Sequence, residues 1–225
     1  MAALDSDQFA KRLGRKSERA AKHLVDRMYD DDSRVEGEQL VGMLRSFMWN
    51  EFYFGTYPPA KQMNEVYERN DRDVSRDIDI VIELANMARD ELKHAKLFSN
   101  RIEELGGNPD IRDYTPTEAQ VEMFHRVYDH DDLVSLAACQ QMGIERFVPI
   151  IFQALVDHDV VDDRTKEVLH SADLDEPNHL NVGRKIILRF ADDEEVQRRA
   201  DEANSAAIEA MYDIYGLEYD PEVVH

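Results

Sequence analysis

Two short segments of the chain match each other, Asp90-Glu91-Leu92-Lys93-His94 and Asp175-Glu176-Pro177-Asn178-His179, each reading D-E-x-x-H. On a helix, positions i and i+3 share a face, so Glu91 projects with His94 and Glu176 with His179. A carboxylate beside an imidazole is half of a transition-metal site. Two such halves complete each other only if two helices lie side by side with these faces turned inward. The pair of motifs therefore constrains the chain to a helical bundle before any other residue is considered.

The rest of the sequence agrees with an all-α fold. Gly and Pro are few, 9 and 7, and apolar residues recur at helical spacing without strand-like alternation. A first helix is predicted over 5–29, with Phe9, Leu13, Ala20, Leu24 and Met28 in line, broken by the run Asp30-Asp31-Asp32-Ser33. A second spans 36–56, kinked or ended by Tyr57-Pro58-Pro59, and helical spacing resumes to about 68. The next runs over 72–105 until Gly106-Gly107. Thr115-Pro116 suggests an N-cap and first helical proline for a short helix over 117–128. Longer helices follow over 131–157 and 163–190, with Pro149 and Pro177 expected to bend them, and a last one over 192–215. We read a single domain over 1–225, with a core bundle over 36–190 and flanking helices at 5–29 and 192–215 that pack on it or on a partner.

Two more carboxylates sit where surface acids do not belong. Glu51 is embedded in Phe47-Met48-Trp49-Asn50-Glu51-Phe52-Tyr53-Phe54, and Glu145 in Met142-Gly143-Ile144-Glu145-Arg146-Phe147-Val148. A glutamate on a core face costs several kcal/mol unless it is paired, protonated or coordinated. If all four acids meet, they must lie at one height. Counting along the chain, Glu145 and Glu176 are each about 13 residues from the turn between their helices, and Glu51 and Glu91 are about 17 and 19 from theirs. Between the two hairpins lie some 25 residues, 106–130, enough for a crossover that leaves the middle two helices parallel. The expected arrangement is up-down-down-up.

The order Glu51 … Glu91-x-x-His94 … Glu145 … Glu176-x-x-His179 resembles the ligand pattern of the ferritin-like di-iron carboxylate superfamily, over about 40–190. The resemblance implies a ferritin-like four-helix bundle with two iron ions, or manganese or a mixed pair, held by Glu51, Glu91, His94, Glu145, Glu176 and His179. The second E-x-x-H and the Asp before each motif look more like the oxygen-activating branch than ferritins or rubrerythrins. A ligating histidine is oriented by a carboxylate on its other nitrogen, so Asp175 is expected to serve His94, or Asp90 to serve His179. Phe98 stands near the place of the radical-storing tyrosine in ribonucleotide reductase subunits, which argues against that activity.

The expected function is oxidation of an organic substrate with dioxygen, by hydroxylation, desaturation or a related reaction. Alternatives on the same scaffold are a manganese catalase, a rubrerythrin-like peroxidase using peroxide, or a ferritin-like iron-storage protein. A separate electron-donor protein is expected because no Gly-rich nucleotide loop is present, and a homodimer is possible.

Charge and composition narrow the partners. A formal charge of −21, from 48 acidic and 27 basic residues, opposes electrostatic binding to nucleic acid or anionic lipid. Aspartate outnumbers glutamate and arginine outnumbers lysine, as in proteins of salt-loving organisms. No segment approaches the roughly 18 apolar residues of a membrane span, and the N-terminus has no signal-peptide pattern, so a cytoplasmic location is expected. The lone Cys139, beside Leu136-Ala137-Ala138, reads as a buried inert thiol. His23, His125, His130, His158, His170 and His225 fit no ligand spacing and are expected at the surface or at helix ends.

Overall fold

The computed structural model describes residues 3–28, 34–69 and 74–224, and among them every regular element is helical. The acidic run at 30–33 and His225 lie outside the described residues. The helices are α1 (Ser6–Met28), α2 (Gly37–Thr56), α3 (Pro58–Glu68), α4 (Ile78–Glu104), α5 (Glu118–Tyr128), α6 (Leu133–Cys139), α7 (Glu145–Asp157), α8 (Asp163–Asp173), α9 (Glu176–Phe190) and α10 (Glu194–Ile214), with a last turn, α11, at Pro221–Val224. No described helix is long and apolar enough to cross a membrane.

Cross-helix contacts fix the directions. Gly55 of α2 faces Glu91 of α4, and Gly107, just past α4, faces Val41 near the start of α2, so these helices are antiparallel. Arg101, late in α4, holds Asp162 at the start of α8 at 2.9 Å, while Arg189, late in α9, reaches Asp77 at the start of α4 at 2.7 Å. The α8–α9 rod is thus antiparallel to α4. Since α7 turns directly into α8, α7 runs parallel to α4, and the segment 105–132 carries the chain back along the bundle. The flanking helices pack on this core. Phe9, Leu13, Ala20 and Leu24 of α1 are fully buried, as are Ala200, Ala207 and Ile208 of α10. Lys16 bonds Ser205 at 2.6 Å, and Asn204 donates to Ser17 and to the Ala138 carbonyl, both at 3.0 Å.

Three boundaries depart from expectation, each for a local reason. The N-cap of α5 is Thr117, not Thr115: its hydroxyl accepts from the Gln120 N–H while the Gln120 side chain accepts from the Thr117 N–H. This reciprocal pair satisfies two of the donors at the start of the helix. The helix expected over 163–190 is two helices, because Pro177 has no N–H for the preceding turn and sits in the first turn of α9. The helix expected over 131–157 contains a π turn at Gln140–Ile144 between α6 and α7, one turn before Pro149. Cys139 is fully buried, and burial pushes its thiol pKa up, as expected of an inert thiol.

Candidate metal centre

Four segments bring the six singled-out side chains to one place. Glu51 comes from α2, Glu91 and His94 from α4, Glu145 from the first position of α7 after the π turn, and Glu176 and His179 from the first turn of α9. All six are buried, none more than 7 % exposed. The remaining described histidines stand apart from them. His23 bonds the Tyr212 hydroxyl at 2.8 Å, and His125 lies 3.6 Å from Asp129 on its own helix.

The two histidines face the acids through equivalent nitrogens. His94 Nδ1 lies 3.2 Å from Glu51 and 4.0 Å from both Glu91 and Glu176. His179 Nδ1 lies 3.1 Å from Glu91, 3.6 Å from Glu176 and 3.8 Å from Glu145. Glu91 and Glu176 therefore reach both imidazoles, whereas Glu51 pairs with His94 and Glu145 with His179. Two triads of ligand atoms fall within 4.8 Å of one another, Glu51–Glu91–His94 and Glu91–Glu145–His179, and Glu91 belongs to both. Although these atoms are close, Glu91 Oε1, both Glu176 oxygens and both His179 nitrogens lack a protein partner in hydrogen-bond geometry. Buried polar atoms in native proteins are almost always satisfied, so a set of orphans converging on one point fits a bound cation.

The electrostatics carry the same message. Burial, reinforced by the Glu145 and Glu51 carboxylates, drives the Glu91 pKa well above its ordinary value. Burial likewise raises Glu176 from 4.5 to about 8. For His179, burial disfavours the charged ring, but Glu145, Glu176 and Glu91 outweigh it and raise the pKa; at His94 burial is outweighed by Glu51. Without cations this cluster holds protons. A raised Glu176 pKa stabilises the fold fully below 4.5, and that contribution is lost as the pH climbs to about 8. Both histidines add in the same direction. We predict that the metal-free protein melts several degrees lower at about pH 8.5 than at about pH 6, and that Glu176→Gln or added metal flattens this difference. Thermal melts across that window check it, and an equal slope in Glu176→Gln would contradict the assignment.

The two expected supports differ in their surroundings. Asp175 Oδ2 lies 3.6 Å from His94 Nε2, just beyond hydrogen-bond distance, and that nitrogen has no other protein partner. Asp90 is instead held by Lys93 at 2.6 Å and Arg89 at 3.2 Å. Burial works against its charge, but these two cations keep its carboxyl below the usual range. Asp90 is buried on the same cavity wall as His179, without a direct contact to it among the described hydrogen bonds. Asp175→Asn is expected to weaken metal binding roughly 10–100-fold while leaving the helical circular dichroism unchanged. Metal titration measures this, and an unaltered affinity would remove Asp175 from the site.

The sequence reading missed a buried carboxamide chain. Gln62 and Gln141 exchange hydrogen bonds at 2.9 Å, Gln141 leads to Gln140 at 3.4 Å, and Gln140 Nε2 donates to Glu145 at 3.4 Å and to the Phe54 carbonyl. All three glutamines are 0 % exposed. Their signal was two polar residues inside the apolar run from Leu133 to Ile144, where polar side chains need partners. On the side of Glu51, Glu91 and Glu145 lies a small cavity of about 50 Å³, walled mainly by Phe47, Phe54, Val148, Ile151 and Phe152. Phe98 backs it, its ring 5.6 Å from Phe47 and 6.0 Å from Phe152.

No family model and no curated protein sequence matches the chain. Among solved structures, it is similar to a TenA homologue from Pseudomonas syringae pv. tomato str. DC3000, with a TM-score of 0.64 over 96% of this chain and 92% of that one. Sequence identity is 15%, so the likeness is one of fold.

Proposed function

We propose that Glu51, Glu91, His94, Glu145, Glu176 and His179 hold two divalent metal ions, iron in the first instance, and that the protein is an oxidoreductase using dioxygen to oxidise an organic substrate. The observation that carries this reading is the convergence of six buried side chains, five of them in two triads sharing Glu91, with unpartnered polar atoms on Glu91, His94, Glu176 and His179. Carboxylate and imidazole donors suit iron or manganese. Four glutamates balance the charge of two dications. When bound, a pair of irons supplies the redox change that reduction of dioxygen demands.

The chain's own residues do the rest. Glu91 and Glu176, which reach both histidines, tie the two positions together; Glu51 with His94 and Glu145 with His179 complete each end. Asp175 orients the His94 ring, and the glutamine chain through Gln140 orients Glu145. Phe47, Phe54, Val148 and Phe152 exclude water from the carboxylate side and receive an apolar part of the substrate. Reducing equivalents come from a separate donor protein in this reading. In this reading α2, α4, α6–α7 and α8–α9 form a ferritin-like up-down-down-up core that carries the ligands in that order, with α1 and α10 as added helices.

Elemental analysis of protein purified without chelator tests the proposal. About two irons per chain, with dioxygen consumption that depends on an organic substrate, is the expected result. Two manganese ions with rapid peroxide disproportionation would assign a catalase instead. No metal, and none taken up during anaerobic incubation with ferrous and manganous ions, would overturn the metal centre.

A further inference from the structure

A second cavity, of about 300 Å³, approaches the centre from the opposite side, between α4 and α9. Its character is the reverse of the first. Its walls include Asn86, Asn178 and Asn181, the carboxylates of Glu83, Asp90 and Asp175, and the imidazole of His179. The three asparagines are exposed and form the outer part, whereas His179 is 1 % exposed and closes the inner end. With Nδ1 turned to Glu91, Glu145 and Glu176, the ring has Nε2 left for this cavity, and Nε2 has no protein partner.

We propose that this polar cavity is the route by which hydrated divalent metal ions reach the buried carboxylates, passing Asn86 and Asn178 at its mouth and Asp175 and His179 at its inner end. The inference rests on the metal-centre reading above and adds how the centre is filled. A dication sheds its water shell only where other oxygens replace it. The aromatic cavity reaches Glu51, Glu91 and Glu145, but the rest of its wall is mostly aromatic and aliphatic, so an ion entering there sheds water against apolar side chains. The asparagine-lined cavity supplies carboxamide and carboxylate oxygens along its wall and reaches the proposed ligand His179. Its other charges are paired in part: Glu83 bonds Lys185 through Oε1 and leaves Oε2 without a partner, and Asp90 bonds Lys93 and Arg89, the latter also on the wall. Asp175, 35 % exposed and 3.6 Å from His94 Nε2, remains as the carboxylate that spans the cavity wall and the centre.

The test is the rate of Co²⁺ uptake by metal-free protein, followed by visible absorption in stopped flow, with final stoichiometry measured separately. The double variant N86K/N178K is expected to load at least about tenfold more slowly, N86D/N178D faster than the parent, and V148K, at the aromatic cavity, at the parent rate. All should reach the parent's end point; Asn86 and Asn178 are exposed and Val148 half-buried, so helical circular dichroism of each variant checks that the fold is retained. Slow loading in V148K with parent-like rates in both asparagine variants would overturn the route while leaving the centre intact. Failure of the parent itself to take up Co²⁺ would overturn the metal centre, and the route with it.

Discussion

Glu91→Gln is expected to abolish binding at both metal positions while making the metal-free protein more stable. Glu91 is the one residue common to both ligand triads, and its oxygens reach both histidines. Its buried carboxyl is also the group that the neighbouring Glu145 and Glu51 most oppose when ionised. An isosteric amide removes that repulsion, so the unloaded fold gains stability, of the order of 1–3 kcal/mol for a relieved buried polar conflict. Glu51→Gln serves as the contrast. It touches only the His94 end, leaving Glu91, Glu145 and His179 together, and should retain about one metal per chain. Elemental analysis and thermal melts of the two variants separate the cases. Equal metal loss in both would mean that Glu91 does not join the two ends.

Gly55→Ala is expected to damage the centre without changing any ligand. A Cβ at Gly55 would lie 2.5 Å from the Glu91 Cβ and 3.4 Å from the Ala88 carbonyl. Alanine in a helix is favoured over glycine by about 1 kcal/mol, but here both clashing carbons are fixed to backbone and neither can turn away. Overpacking of this kind costs about 1–3 kcal/mol and pushes α2 from α4, separating Glu51 from Glu91 and His94. The variant should melt roughly 2–8 °C lower and bind metal more weakly. Gly42→Ala in the same helix is the control. It is exposed with nothing within 4 Å of its Cβ, so there propensity alone acts and the melt should rise. A Gly55→Ala protein with parental stability and metal content would show that the close approach of α2 to α4 has no bearing on the site.

Some of this was written in the sequence because it depends only on local spacing. Helical periodicity gave the elements to within a few residues wherever a polar run or a glycine pair ended them, as at Gly106-Gly107 after α4. The i, i+3 relation put Glu91 beside His94 and Glu176 beside His179, and helix lengths put Glu51 and Glu145 level with them. Apolar neighbours marked those two acids as buried. All six residues then met in the structure.

Other features turn on a choice between local alternatives or on contacts between segments distant in the chain. Thr117 rather than Thr115 caps α5: each has a side chain three residues ahead that can return its hydrogen bond, Glu118 or Gln120, and the reciprocal pair forms at Thr117. Pro177 splits one expected helix in two, which places Glu176 and His179 in a first turn. Gln62, Gln140 and Gln141 looked like ordinary polar residues until packing buried them together. The choice between the two candidate supports was also tertiary: Asp175 faces His94, whereas Asp90 is claimed by Lys93 and Arg89. The chain alone thus determined which side chains are of a kind and spacing to bind metal. Tertiary packing decided how Glu91 and Glu176 come to lie between the histidines, and which faces of the centre are greasy or wet. Those properties arise from the approach of helices dozens of residues apart, where a glycine such as Gly55 sets the distance.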